Sequence, residues 1–491
     1  MKTVGSGAPI FSFSKGPCSF YALGVKPYLA IDLGTSFLKG CVLNLDALEP
    51  GKTKRVPLPD RVTGLDSHFF ELDPEDVLAS VERLINELAS DAPGNEVGLV
   101  LCAQMHGIVL LDSSGRPKTN IITWQDQRSR LPLPRSSGGE TCLEWIERVV
   151  TPAQRRALGN ELRPGIPIGT LVSLARQNPG WLDENLTVAS LPDFVLSALA
   201  HTQAAVDATN AASYGLFDVE RGTWQDDVIT TLGLAGLRFP PIAGYRDTPY
   251  EFDLNGKTYR CHTPVGDHQC ALGGCLLEPG ELSLNISTGS QVSTLSESFR
   301  ATNNYQVRPF FDGMFLHTAT HIPAGRSLNA LLGLLTELPR LQGTAIDDPW
   351  TLIAQVTKED PPTASPPLEI DLSFFKSREK DAGSINGIRE DNLNVGALFR
   401  AAFSSMVDDY IRHADSLPKP PNGWSRLVLS GGVAHKVEQL RQMATDRFQL
   451  PSRLSPTTED TMFGLLVISL AATGIVPDVR SAMRLIESQS N

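Results

Sequence analysis

Apolar residues along this chain gather in short runs that end on small polar turns, and two of these units resemble each other. Residues 28–31 are apolar up to Asp32, the chain turns at Gly34-Thr35-Ser36, and residues 41–45 are apolar again. Residues 282–286 lead into Ser287-Thr288-Gly289-Ser290 and then Gln291-Val292-Ser293. Each unit reads as a strand, a turn built from backbone and hydroxyl groups, and a returning strand. Between them, residues 77–88 place apolar side chains at helical spacing behind Asp73-Pro74-Glu75, a helix start. Residues 97–103 form a buried-strand run that ends at Gln104-Met105-His106-Gly107. From about 140 to 240 the pattern is helical, broken by Pro and Gly. Residues 357–392, rich in Pro, Ser, Asp and Lys, read as a loop or small irregular excursion. Beyond it come a helix over 396–413, a strand over 426–429, a Ser430-Gly431-Gly432 turn and a helix over 436–448. A last helix follows Thr457-Thr458-Glu459-Asp460 and carries the apolar run 465–472.

Two strand–turn units, each opening a mixed α/β stretch, predict two similar α/β domains with a ligand cleft between them. The divisions expected are an extension over 1–27, a first domain over 28–275, a second over 276–475 and a tail over 476–491. A chain of 491 residues is too long for one compact core.

Composition changes this picture mainly by exclusion. With 55 acidic against 43 basic residues the net charge is −12, and no basic stripe supplies a footprint for nucleic acid. The eight-residue apolar run at 465–472 is less than half of what a bilayer crossing needs. Seven cysteines, at 18, 41, 102, 142, 261, 270 and 275, include no CxxC pair. They read as reduced thiols in the cytoplasm. Nothing in the sequence sets the oligomeric state.

Four polar groups carry candidate chemistry. A carboxylate at a strand end, Asp32, is suited to hydrated magnesium, and the Gly34-Thr35-Ser36 turn, with Lys39 beyond it, to a terminal phosphate. The plain alternative is a hairpin turn; no GxxxxGK[ST] loop is present. Gly266-Asp267 precedes a small-residue stretch, where Asp267 is placed either as a general base or as a helix cap, two compatible roles. Gln104, His106, Trp124, Asp126 and Arg128 offer the planar hydrogen-bonding groups and aromatic face that sugars need. Residues 124–128 alternate as a strand would, putting Trp124, Asp126 and Arg128 on one face; the alternative is a surface strand with an ion pair. Ser430-Gly431-Gly432-Val433-Ala434 lets a nucleotide approach the backbone, or is simply a turn.

Taken in order, these segments resemble the FGGY carbohydrate kinases over nearly everything from Tyr28 to Gly474. Asp32 to Lys39 looks like that family's first phosphate loop, Gln104-Met105-His106-Gly107 and Trp124 to Arg128 like its sugar contacts, and Gly266-Asp267 like the site of its catalytic aspartate. Asp193 to Ser213 is similar to the helix and Asp/Ala/Ser stretch preceding the Trp224 region. Ser287 to Ser290 resembles the second phosphate loop, Ser430 to Ala434 the nucleotide turn, and Glu459 to Gly474 the closing helix. The resemblance implies a duplicated ribonuclease-H-like (actin-like) α/β fold, with ATP, Mg2+ and a small sugar as ligands. It implies in-line transfer of the γ-phosphate, with Asp267 as base and Asp32 holding the metal. Gly34, Thr35, Ser36, Lys39, Thr288, Gly289 and Ser290 would meet phosphates, and Gly431, Gly432 and Ala434 the nucleotide. Within the family, Gly266-Asp267-His268-Gln269-Cys270 and Leu284-Asn285-Ile286-Ser287-Thr288 look most like sedoheptulokinases. Xylulokinases share Gln-Met-His-Gly. Other expectations are a different ketose, pentitol or gluconate kinase, or an actin-fold sensor without catalysis.

Overall fold

The computed structural model describes residues 26–134, 138–358, 367–374 and 382–490. The expected extension up to residue 25 and parts of the 357–392 excursion lie outside them. The first apolar unit folds as strand β1 (Tyr28–Leu33) returning as β2 (Phe37–Asn44), to which β3 (Lys54–Pro57) adds antiparallel. Helix α1 (Pro74–Ala89) starts where predicted, with the Asp73 carboxylate accepting from the Glu75 and Asp76 amides. Strand β4 (Glu96–Ala103) lies parallel to β1, and β5 (Lys257–Cys261) parallel to β4. After helix α2 (Asp267–Gly274) the plan repeats. Strands β6 (Leu282–Ile286) and β7 (Ser290–Ser296) form the second hairpin, and β8 (Phe315–Ile322) pairs antiparallel with β7. Helices α3 (Gly325–Leu341) and α4 (Val395–Ser416) precede β9 (Leu427–Ser430) and β10 (Ser452–Leu454), both parallel to β6. Helix α5 (Asp460–Ala472) follows.

Within the larger sheets these strands are ordered β3-β2-β1-β4-β5 and β8-β7-β6-β9-β10, and of each five only the second runs against the others; further strands add antiparallel at the edges, Tyr250–Leu254 on β5 and Gln306–Pro309 on β8. This is the duplicated ribonuclease-H-like arrangement that the two similar hairpins foreshadow.

Strand periodicity explains how the sheets stack. In β1, Leu29, Ile31 and Leu33 face a core that includes α1, whereas Tyr28 and Ala30 face a second core shared with α5. In β9, Leu427 and Leu429 pack with α4 on the outer side, and Val428 turns to that shared core. Both sheets are therefore covered on both faces, which is why their strands read as continuous apolar runs. Helix α5 is buried almost all round because it is the filling between the sheets.

Three local expectations change. Residues 124–128 form a turn leading into a short 3-10 helix, Arg128–Arg130, in place of a strand. The helix expected over 436–448 is two, Gly432–Lys436 and Glu438–Phe448, separated at Val437 by extended backbone. The described part of the 357–392 excursion contains a small antiparallel ribbon, Glu369–Asp371 with Ser384–Asn386. No helix among the described residues is long and apolar enough to cross a membrane.

Candidate active site

Thr288 and Gly289 of the second hairpin turn line a large cleft together with Trp124, whose indole reaches Thr35 of the first turn. Gly34 is half-buried and Thr35 and Ser36 are exposed at the β1–β2 turn, and Thr288 and Gly289 are exposed at the β6–β7 turn. A Cβ on Gly289 would meet nothing within 4 Å, so this backbone is open to a ligand. Three segments converge behind the second turn. The Gly325 amide donates to the Ser287 carbonyl at 3.0 Å, and the Arg326 amide to the Thr288 carbonyl at 2.8 Å. Gly431, at φ 88°, packs so closely that a Cβ would lie 2.4 Å from Ser287 Oγ. Gly432 has open space beside it.

Asp32 is buried at the end of β1, where the Thr461 hydroxyl from α5 donates to its Oδ2 at 2.8 Å. Burial pushes its carboxyl pKa up, partly offset by Thr461 and Lys39. Asp267 opens α2 and is partly exposed. Burial first, and then the charge of Asp32, raise its pKa to about 7, against the pull of backbone amides and Arg308. Gly266 is the residue before the helix. Its amide donates to Thr209 Oγ1 at 2.9 Å, and a Cβ there would crowd Gln269 Oε1 and Met105 Sδ. The backbone leading into Asp267 is thus fixed by the helix start on one side and by Thr209 on the other.

The polar candidates at the end of β4 join the first turn. Gln104 accepts from the Thr35 hydroxyl at 3.4 Å, and Trp124 Nε1 donates to Thr35 Oγ1 at 3.3 Å. His106 sits at φ 70° with its amide donating to Ser213 Oγ. Its Nε2 accepts from Arg163 at 2.9 Å, and burial with the nearby guanidiniums holds its pKa well below the ordinary value.

Several expected contacts are structural instead. Asp126 and Arg128 are 1% and 2% exposed while Trp124 is 37% exposed, so the three do not share a face. Asp126 accepts from the Phe70 and Arg128 amides and from Arg128 Nε, and Arg128 also bonds Glu71 and stacks on Phe69. That network props the turn that presents Trp124. Ser290 is fully buried with its hydroxyl on Tyr410 at 2.7 Å, and the Ala434 methyl lies in the outer core of the second sheet. Lys39 Nζ is committed to Glu459 at 2.9 Å, an ion pair across the halves.

The sequence reading missed Thr461, Thr209, Arg163, Arg308 and His321. Arg308 donates to Glu161 at 2.6 Å and to His268 Nδ1 at 2.9 Å, next to Asp267. Arg163 bridges His106 and His321, each at 2.9 Å. Thr209 and Thr461 lie in segments already noted, 193–213 and 459–474, but not as singled-out residues; Arg163, Arg308 and His321 lie in no noted segment.

Among the described residues no group of three or more His, Cys, Asp or Glu is arranged to hold a metal. A pair of carboxylates with hard oxygen donors instead suits an ion that keeps its waters and shares a ligand's phosphates, the habit of Mg2+.

Comparison with known proteins agrees with this architecture. Residues 27–247 match the model of the FGGY family of carbohydrate kinases, N-terminal domain. The human sedoheptulokinase is 20% identical over 479 residues, covering 90% of this chain and 96% of that protein. Crystal structures of a ligand-bound xylulose kinase and of a gluconate kinase, both from Lactobacillus acidophilus, superpose with TM-scores of 0.77 at 17% identity. The first covers 94% of this chain and 92% of its own, and the second 93% and 92%. These matches show that residues 27–247 resemble the N-terminal domain of the FGGY carbohydrate kinases, and that the chain as a whole has the fold of the solved sugar kinases.

Proposed function

We propose that the protein transfers the γ-phosphate of Mg-ATP to a hydroxyl of a small sugar, with Asp267 as general base. The observation carrying this reading is Asp267 itself: a partly exposed carboxylate at a helix start, raised to about 7 by burial and by Asp32. A carboxylate so tuned is a much stronger base than an ordinary aspartate yet is substantially ionised at neutral pH. Asp267 takes the proton of the acceptor hydroxyl as that oxygen bonds to phosphorus and the bond to the ADP oxygen breaks. The open turns at Gly34-Thr35-Ser36 and Thr288-Gly289 offer amides and hydroxyls to the phosphates. Gly431 and Gly432, behind the second turn, are the nucleotide side. Asp32 is the residue that would hold Mg2+, which when bound offsets the charge of the phosphates. Gln104, Trp124 and His106 would line the acceptor.

Likeness to the human sedoheptulokinase, together with the motif around Asp267, puts sedoheptulose (giving the 7-phosphate) first among neutral acceptors, ahead of xylulose. The six cysteines among the described residues are buried and form no disulfide, which suits a cytoplasmic setting. A sugar sensor would need no tuned base, so Asp267 weighs against that reading. The test is ADP release by purified protein with Mg-ATP against sedoheptulose, xylulose, ribulose, other ketoses, pentitols and gluconate. Release dependent on one acceptor supports the kinase reading; silence across the panel, with acceptor binding still measurable, favours a sensor.

A further inference from the structure

We infer that the cleft wall formed by Arg163 and His321 binds a negatively charged terminus, a carboxylate or phosphate, on the acceptor. The inference rests on the kinase reading and assigns the class of its substrate.

Its first support is a charge imbalance. From Asp267 the wall runs through His268, Arg308, Glu161 and Arg163 to His321. Two guanidiniums share one bonded carboxylate: Glu161 bonds Arg308, and its other oxygen lies 3.6 Å from Arg163 Nε, while the charge of Asp267 acts on Arg308 and leaves Arg163 the less compensated of the two. The remaining partners are three imidazoles, His106, His268 and His321, each accepting from a guanidinium N–H. An imidazole that accepts at one nitrogen is neutral, so it satisfies geometry without offsetting charge. Burial and the adjacent guanidiniums hold all three below the ordinary histidine range, His321 at about 3.

The second support is a surplus of donors. Arg163 has five N–H donors and directs two of them to His106 and His321, while its buried Nε faces Glu161 Oε2 across 3.6 Å, too far for a hydrogen bond. His106 Nδ1 and His268 Nε2, which must carry the ring protons, are also buried without partners. Unmatched buried donors are uncommon and call for an explanation. On the Thr320 side the relay is complete, since His321 Nδ1 donates to Thr320 Oγ1, which donates to Gln306.

Position supplies the third. The Arg163 side chain is 24% exposed, and with His321 it lines the same cleft as Trp124, Thr288 and Gly289. His106 and His321, the two residues bracketing Arg163, are both held at positive φ, 70° and 65°. Left-handed non-glycine backbone of this kind gathers at ligand clamps. A neutral polyol would use the donors but leave the charge; a carboxylate or phosphate takes a guanidinium edge and answers both.

The experiment compares acceptors matched in carbon number, using the full chain with Mg-ATP. Five-, six- and seven-carbon aldonates are set against the corresponding alditols and ketoses, with ketose monophosphates as a second anionic arm. The expected result is an anionic acceptor preferred roughly ten-fold or more in kcat/KM over its neutral counterpart. Arg163→Gln should raise its KM by a similar factor with a smaller change in kcat, and Arg163→Lys should recover part of the loss. Because Arg163 is tied to buried histidines, the exposed His321→Gln provides a second variant, and KM for the anion should rise with ionic strength in the unaltered protein. The aldonate and phosphate arms distinguish which anion is read. Preference for sedoheptulose or another neutral sugar overturns the inference and leaves the kinase reading intact. If anionic sugars raise the melting temperature and Arg163→Gln abolishes the effect, yet no ADP is released, the subsite stands and the kinase reading falls.

Discussion

Asp267 concentrates the chemistry into one titration. Asp267→Asn keeps shape and hydrogen bonding but cannot take the proton, so turnover should fall by about 10²- to 10⁴-fold while acceptor affinity, read by calorimetry, stays nearly constant. Near-normal turnover would remove Asp267 from its role. If Asp267 is the base, as proposed, it must be ionised to act, so kcat/KM should rise with pH through about 7 and level off above it. The sign for stability is opposite. Unfolded, the carboxyl titrates near 3.8; between that value and about 7 the folded chain keeps a proton the unfolded chain has lost. This group therefore makes folding less favourable as pH rises across that window, with no further change above it. Asp267 was legible because it stands beside glycine ahead of small residues. Thr461, which steadies Asp32, was not, because the two lie 429 positions apart. Asp126 and Arg128 were legible as a polar pair but misleading as sugar contacts: alternation cannot tell a strand from a turn in which a carboxylate stands in for backbone partners.

At the scale of elements, the site depends on how α2 meets α5. The two helices cross at glycines: a Cβ on Gly274 would lie 1.9 Å from the Asp460 carbonyl oxygen, and one on Gly464 would lie 1.9 Å from that of Cys270. In an unconstrained helix, Gly→Ala stabilises by up to about 1 kcal/mol. Here Gly464→Ala must push the helices apart and should destabilise by about 1–3 kcal/mol, as read from urea unfolding. Since α2 carries Asp267, turnover should fall as well; a stabilised, fully active Gly464→Ala protein would contradict the close crossing. The strands were readable because both faces of each sheet are covered, leaving unbroken apolar runs. Helix α5 announced itself only as such a run, without the one-sided periodicity that says what a helix packs against.

For the whole molecule, the duplication was legible in two hairpins written alike, whereas the links between the halves were not. They are pairs of distant residues: Lys39 and Arg55 with Glu459, Thr461 with Asp32, Glu161 with Arg308, Arg163 with His321. The pairs of Lys39 and Arg55 with Glu459 are partly exposed and individually weak, about 1 kcal/mol or less, whereas Glu161–Arg308 and Asp32 are buried. On the proposed kinase reading the halves are expected to close over ligands, which would exclude water from the transferred phosphate. Small-angle scattering should record a smaller radius of gyration with nucleotide and acceptor bound; superimposable curves would argue against it. One of these links also bears on how the protein is made. Asp32 leaves the ribosome early, but its Thr461 partner and the helix that fills the space between the sheets are among the later residues synthesised. The nascent chain therefore carries most of its catalytic groups for much of its synthesis without the packing that aligns them. On the proposed reading, a product cut short before residue 461 should therefore lack phosphoryl transfer, because neither Thr461 nor the helix between the sheets is present to hold Asp32.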